Sequence, residues 1–245
     1  MLETRSWADS LGVSCAAVEL YRDSEPFDLH VDSFIWTRAL GYDLLKDNGL
    51  GPLGGRLFSQ LDVPRAREAQ LSALTWSITT NPLRSTEGRR ETFFANLDRL
   101  RATLHAADGV ELVRSAAGVR RAHAAGRQAA LLAIQGANAL RPSDFERLDE
   151  VVRVTVMGFT HSVYGEASDT VPRWLPRPHR GLTAAGLELV KTLNRERILV
   201  DLAHASRQAF DEALEVHDPS LPFVVSHAGI ASVHPHPRNL DVAQL

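Results

Sequence analysis

Short apolar runs alternate with stretches of helical period along most of this chain, and that alternation constrains its fold more than any other feature. Ala129–Ile134, Val152–Phe159, Ile198–Leu202 and Pro222–Ser226 read as buried strands. Pro26–Asp32 and Leu71–Ile78 bring the series to six. Helices are predicted over 6–21, 89–107, 115–125, 142–151, 183–194 and 206–216. In 89–107, Phe93, Leu97, Leu100 and Leu104 recur at spacings of three and four. Ser143 is placed to cap 142–151, and Gly126 to close 115–125. Residues 33–65 are mixed, with Gly49, Gly51, Gly54 and Gly55 breaking any long element. Apolar strands separated by helices belong to a parallel sheet covered by helices. The expected fold class is therefore α/β, of the (β/α)8 TIM-barrel type.

The chain has 245 residues, close to the roughly 250 of a complete eight-stranded barrel. Six strands are two too few. The N-terminal helix and the 33–65 stretch use the length that two βα units would need. The expectation is one domain, 1–245, lacking the last two βα units and incomplete at its C-terminal side. The net charge is −3 and no run of Lys or Arg stands out, which gives a nucleic-acid partner no electrostatic support. A single cysteine, Cys15, excludes an intrachain disulfide and a Cys-rich zinc site. The N-terminus lacks an apolar signal core. The longest apolar run, Ala129–Ile134, falls far short of the ~18 residues a membrane span needs. The expected location is cytoplasmic.

In folds of this kind the chemistry gathers at the C-terminal ends of the strands. His30 and Asp32 end the first strand, His161 follows the fourth, His204 the fifth and His227 the sixth. His30 and Asp32, two apart on a strand, point to the same face. Imidazole and carboxylate are both zinc ligands. Each histidine alone reads more readily as a core residue satisfied by a carbonyl than as a ligand. Together, at successive strand ends, they indicate a metal-centred site. His179, His217, His234 and His236 read as solvated, His105 and His123 as helix-surface residues. Pro235 and Pro237 suggest an extended segment.

These segments resemble the renal (membrane) dipeptidase family, metal-dependent dipeptidases built on a (β/α)8 barrel. Asp28-Leu-His-Val-Asp32 is similar to the family's D-x-H-x-D, and Asp62-Val-Pro-Arg65 to its next element. Ile134-Gln-Gly136 and Asn138-Ala-Leu140 stand where the family has I-E-G-G-H-x-L. Thr160-His161, Gly181-Leu-Thr183, Lys191 to Asn194, Val200-Asp-Leu-Ala-His-Ala-Ser206, Ser226-His227 and Arg238-Asn239 follow in the family's order. The resemblance covers about residues 10–245.

The resemblance implies cleavage of small dipeptides by a metal-activated water, with two zinc ions per site. It implies His30 and Asp32 as metal ligands, and His204 and His227 as ligands of the second metal. His161 would stabilise the tetrahedral intermediate, and Arg238 would clamp the substrate carboxylate. It also implies a homodimer, a state common among relatives. Two departures stand against simple transfer. The bridging glutamate position holds Gln135, and a neighbouring histidine position holds Asn138. An amide brings one neutral oxygen where a carboxylate bridges two ions, so a weakened or single-metal site is expected. The family's acidic G-D-F-D-G-like segment has no counterpart here. The alternatives are thus a catalytically impaired barrel acting by binding, or a single-metal amidohydrolase with another substrate.

Overall fold

The computed structural model describes residues 2–49, 61–81, 83–168 and 180–245. His179, Gly51, Gly54 and Gly55 lie outside the described residues. Seven strands are described: β1 (Phe27–Val31), β2 (Ala73–Thr79), β3 (Val110–Leu112), β4 (Gln128–Gln135), β5 (Val151–Thr155), β6 (Leu199–Asp201) and β7 (Phe223–Val224). The helices are α1 (Leu2–Leu11), α2 (Cys15–Asp23), α3 (Phe34–Leu40), α4 (Val63–Glu68), α5 (Thr86–Ala106), α6 (Ala116–Ala124), α7 (Ala184–Arg195) and α8 (Arg207–Val216). Strand order is β1-β2-β4-β5-β6-β7, with β3 pairing β4 off this path. The pairings from β3 to β7 are parallel. This is the α/β sheet expected of a barrel-type fold. No described helix is long and apolar enough to cross a membrane.

The chain forms two compact units, residues 1–75 with 104–130, and 76–103 with 131–245. In the first, Val31, Phe34, Leu44, Ala66 and Leu74 are buried. In the second, Trp76, Ile78, Leu132, Ile134, Val154 and Val200 are buried. β2 and β4 are buried at every residue, as their continuous apolar character requires. On α5 the buried positions include Phe93, Leu97, Leu100 and Leu104, the stripe read from the sequence.

Five helices start alike: Ser14, Asp62, Ser115, Thr183 and Ser206 each accept a backbone N–H three residues on. The structure corrects several element boundaries. The helix expected over 6–21 is broken at Gly12, whose φ of 67° is left-handed, and restarts at the Ser14 cap. The helix expected over 142–151 is a 3-10 turn, Pro142–Arg147. Pro142 suits the first turn position, so Arg141 and not Ser143 becomes the cap residue, its N–H held by the Asp144 carboxylate at 2.8 Å. β3 is a strand the sequence reading lacks; at three residues it is too short to show a period. β5 stops at Thr155 instead of running to Phe159. The segment holding Pro235 and Pro237 is a turn-rich loop, tied by an Asn239 side chain that bonds both Gly229 N and His234 O.

Thr183 offers a direct test of the caps. Its hydroxyl accepts from Gly186 N at 3.1 Å and donates to Val163 O at 2.6 Å. Thr183→Ala is expected to cost about 1 kcal/mol, read as a lower urea midpoint at unchanged m-value.

Candidate active site

Parallel register fixes one row across four strands of the second unit. Gln135 pairs with Thr155, Thr155 with Asp201, and Asp201 with Val224. Because side chains alternate along a strand, residues two further on share the row's face. Arg153, two before Thr155, and Ser226, two after Val224, therefore turn toward Asp201. Asp201 is fully buried, and its oxygens are saturated. Oδ1 accepts from Ala203 N at 3.0 Å and Ser226 N at 3.1 Å. Oδ2 accepts from Thr155 Oγ1 at 2.8 Å and Ser226 Oγ at 2.6 Å, and lies 3.0 Å from the buried Arg153 guanidinium. Burial alone would raise the Asp201 pKa. The Arg153 charge and the Ser226 and Ala203 hydrogen bonds outweigh it and hold the carboxyl below the ordinary range.

The segment Asp201-Leu-Ala-His-Ala-Ser206 turns directly after β6. Asp201 folds back onto Ala203 N, Ala205 N bonds Leu202 O, and Ser206 caps α8. This turn forces His204 into a left-handed φ of 66°, uncommon for a residue with a Cβ. The conformation is secured by Ser168 N donating to His204 O at 2.7 Å. Strain held at such a position is a mark of functional sites. The His204 ring is buried, edge-on to Phe159 at 5.2 Å between centroids.

Three groups converge on His204 Nε2. His227 Nε2 is at 2.8 Å, the Gln135 side-chain nitrogen at 2.7 Å, and Arg238 Nη2 at 3.3 Å. Arg238 also donates to His227 O at 3.1 Å, its loop anchored by Asn239. Thr79 Oγ1 donates to Gln135 Oε1 at 2.9 Å. Gly136 follows with a φ of 93°, where a Cβ would come within 3.0 Å of the Asn138 amide oxygen. His161 sits on the loop after β5, its Nδ1 accepting from Ala167 N at 3.1 Å. In the first unit His30 Nε2 lies 3.2 Å from Asp32 Oδ2, and the Asp28 carboxylate accepts from His30 N at 2.9 Å.

The second unit thus brings Gln135, His204, His227 and Arg238 together, and the first unit pairs His30 with Asp32. Among the described residues no group of three or more His, Cys, Asp or Glu side chains converges as a metal-holding set. The donor chemistry nevertheless fits a cation at His204 and His227. Two imidazole Nε2 atoms facing each other require a proton or a metal ion between them, and imidazole suits zinc. The amide of Gln135 adds no charge to this set, and the Arg238 guanidinium beside it adds a positive one. The sequence reading did not single out Arg153, Thr155 and Ser226 as members of this cluster. The alternation in Val-Val-Arg-Val-Thr, which puts Arg153 and Thr155 on one face, was the only local signal for two of them.

A parallel α/β sheet that brings two histidines, an amide and an arginine together at its strand ends is the arrangement of a barrel-type α/β fold. The chain belongs to the membrane dipeptidase family, peptidase family M19, whose model matches residues 15–245. It is 30% identical over 231 residues to dipeptidase aclJ of Aspergillus oryzae, covering 89% of this chain and 54% of that protein. Dipeptidase 3 of Mus musculus is 28% identical over 239 residues, covering 94% of this chain and 46% of that protein. The chain spans about half the length of the curated relatives it matches. A crystal structure of a metallopeptidase of family M19, dipeptidase AC, superposes with a TM-score of 0.72 at 27% identity, over 89% of this chain and 68% of that one. The fold is also that of a Rhodobacter sphaeroides metallopeptidase solved with a phosphinate mimic of L-Ala-D-Ala, with a TM-score of 0.72 at 24% identity, over 89% of this chain and 69% of that one.

Proposed function

We propose that this chain carries the metal-holding and carboxylate-binding part of a dipeptidase that hydrolyses small dipeptides. The observation that carries the reading is the convergence of His204 Nε2, His227 Nε2 and the Arg238 guanidinium at the strand ends. His204 and His227 would hold zinc, and His30 and Asp32 would serve as ligands of a further ion. Bound zinc supplies Lewis acidity and lowers the pKa of water for attack on the peptide carbonyl. Arg238 presents a planar fork of donors suited to a terminal carboxylate. His161, with Nδ1 occupied by Ala167 N–H, is the neutral Nε2–H tautomer and can donate to the developing oxyanion.

The test is zinc titration of the metal-free chain together with an L-Ala-D-Ala cleavage assay. We expect at least one zinc per chain and dipeptide cleavage that a chelator abolishes. Zinc content below about a tenth of an equivalent would overturn the reading. A second reading, an impaired relative that binds without cleaving, is favoured by Gln135, whose neutral amide faces His204 where the resemblance implies an anionic bridge. Zinc binding without cleavage selects it.

A further inference from the structure

We propose that Asp201, acting through Ser226, is a positioning residue that fixes the tautomer and orientation of His227. The polarity of the contacts follows from the Asp201 end. Asp201 is a buried carboxylate that faces the Arg153 guanidinium and accepts from four hydrogen-bond donors. The short 2.6 Å contact from Ser226 Oγ to Asp201 Oδ2 therefore commits the hydroxyl proton to the carboxylate. Ser226 Oγ is left with lone pairs only, and His227 Nδ1 stands 2.8 Å from it. His227 Nδ1 must then carry the hydrogen and donate it. In the neutral ring this leaves the lone pair on Nε2, aimed at His204 Nε2 at 2.8 Å.

The order of groups rules out a nucleophilic serine. In a serine-hydrolase triad the imidazole lies between hydroxyl and carboxylate and takes the hydroxyl proton. Here the hydroxyl lies between imidazole and carboxylate, so Ser226 relays orientation and does not attack. Arg153 and Thr155 complete the device by holding Asp201 charged and fixed from β5. A histidine whose far nitrogen is held by a hydrogen-bonded carboxylate network offers a better-oriented, more basic near nitrogen to a cation.

The inference rests on the proposed function only for its use; the tautomer itself is independent of any metal. The experiment uses the 245-residue chain with 15N-labelled histidine. Long-range 1H–15N correlation spectra of the metal-free protein are recorded at a pH where His227 is neutral, followed by zinc titration. Wild type is expected to show His227 as the Nδ1–H form. Ser226→Ala should shift it toward Nε2–H and weaken zinc binding by about 10- to 100-fold. Ser226→Thr, which keeps the hydroxyl, should restore both. Native-like chemical-shift dispersion in Ser226→Ala establishes that the variant is folded; if it is not, Asp201→Asn compared with wild type and Ser226→Thr supplies the same comparison. A Nδ1–H tautomer that survives loss of the Ser226 hydroxyl, or a wild type that holds the Nε2–H form, overturns the inference. A wild type that keeps Nδ1–H yet binds no zinc overturns the proposed function and leaves the positioning role standing.

Discussion

Replacing Asp201 by alanine lowers the stability of this chain by about 3–5 kcal/mol, read from urea unfolding at neutral pH. The size follows from what the substitution leaves behind. Arg153 is only 3% exposed, and without Asp201 its buried charge loses this carboxylate partner. The donors Thr155 Oγ1, Ser226 Oγ, Ala203 N and Ser226 N lose their acceptor together. Asp201→Asn keeps the shape and one acceptor oxygen, so it should cost less than alanine. The same carboxylate sets an acid limb. Its folded pKa lies below its unfolded value of about 3.9, so its contribution is complete above that pH. It is lost as pH falls through the folded value, because the unfolded chain takes up the proton first. Asp201→Asn should flatten that limb. An alanine variant within about 1 kcal/mol of wild type would show that the network is not under tension of this kind.

Gln135→Glu raises zinc affinity by about 10- to 100-fold, measured by competition with a chelating dye. A unit charge about 4 Å from another is worth about 4 kcal/mol per unit at an effective dielectric of about 20. Desolvating the new carboxylate at this buried position offsets part of that gain. Thr79 Oγ1, which now donates to the amide oxygen at 2.9 Å, can donate equally to a carboxylate. Arg238 Nη2, 3.3 Å from His204 Nε2, favours the same negative charge. Unchanged or weaker zinc binding would remove Gln135 as the group that limits the cation at His204 and His227.

Much of this site was legible because its residues stand at strand ends. His204 and His227 come together as their positions in the chain suggest, and Arg238 reaches both. His30 and Asp32 share a face, as two residues of one strand must. What escaped the sequence reading was the layer behind the histidines. Arg153 looks like an interruption of an apolar strand, and Ser226 like a small residue before a histidine. Their meaning depends on Asp201, separated from them by 48 and 25 positions of chain respectively. The 3-10 turn at Pro142–Arg147 escaped for a different reason. A short apolar period does not distinguish it from a helix, and the Arg141–Asp144 cap contact decides the outcome.

The sequence by itself determined the alternation of strand and helix, the glycine that ends one helix and the placement of chemical side chains at strand ends. Those features rest on periods and hydrogen bonds that span a few residues. Tertiary structure alone decided the row Gln135–Thr155–Asp201–Val224, the left-handed backbone of His204 and the polarity of the Asp201–Ser226–His227 chain. Register between strands far apart in the chain is set by how whole strands pack, and no local pattern carries it.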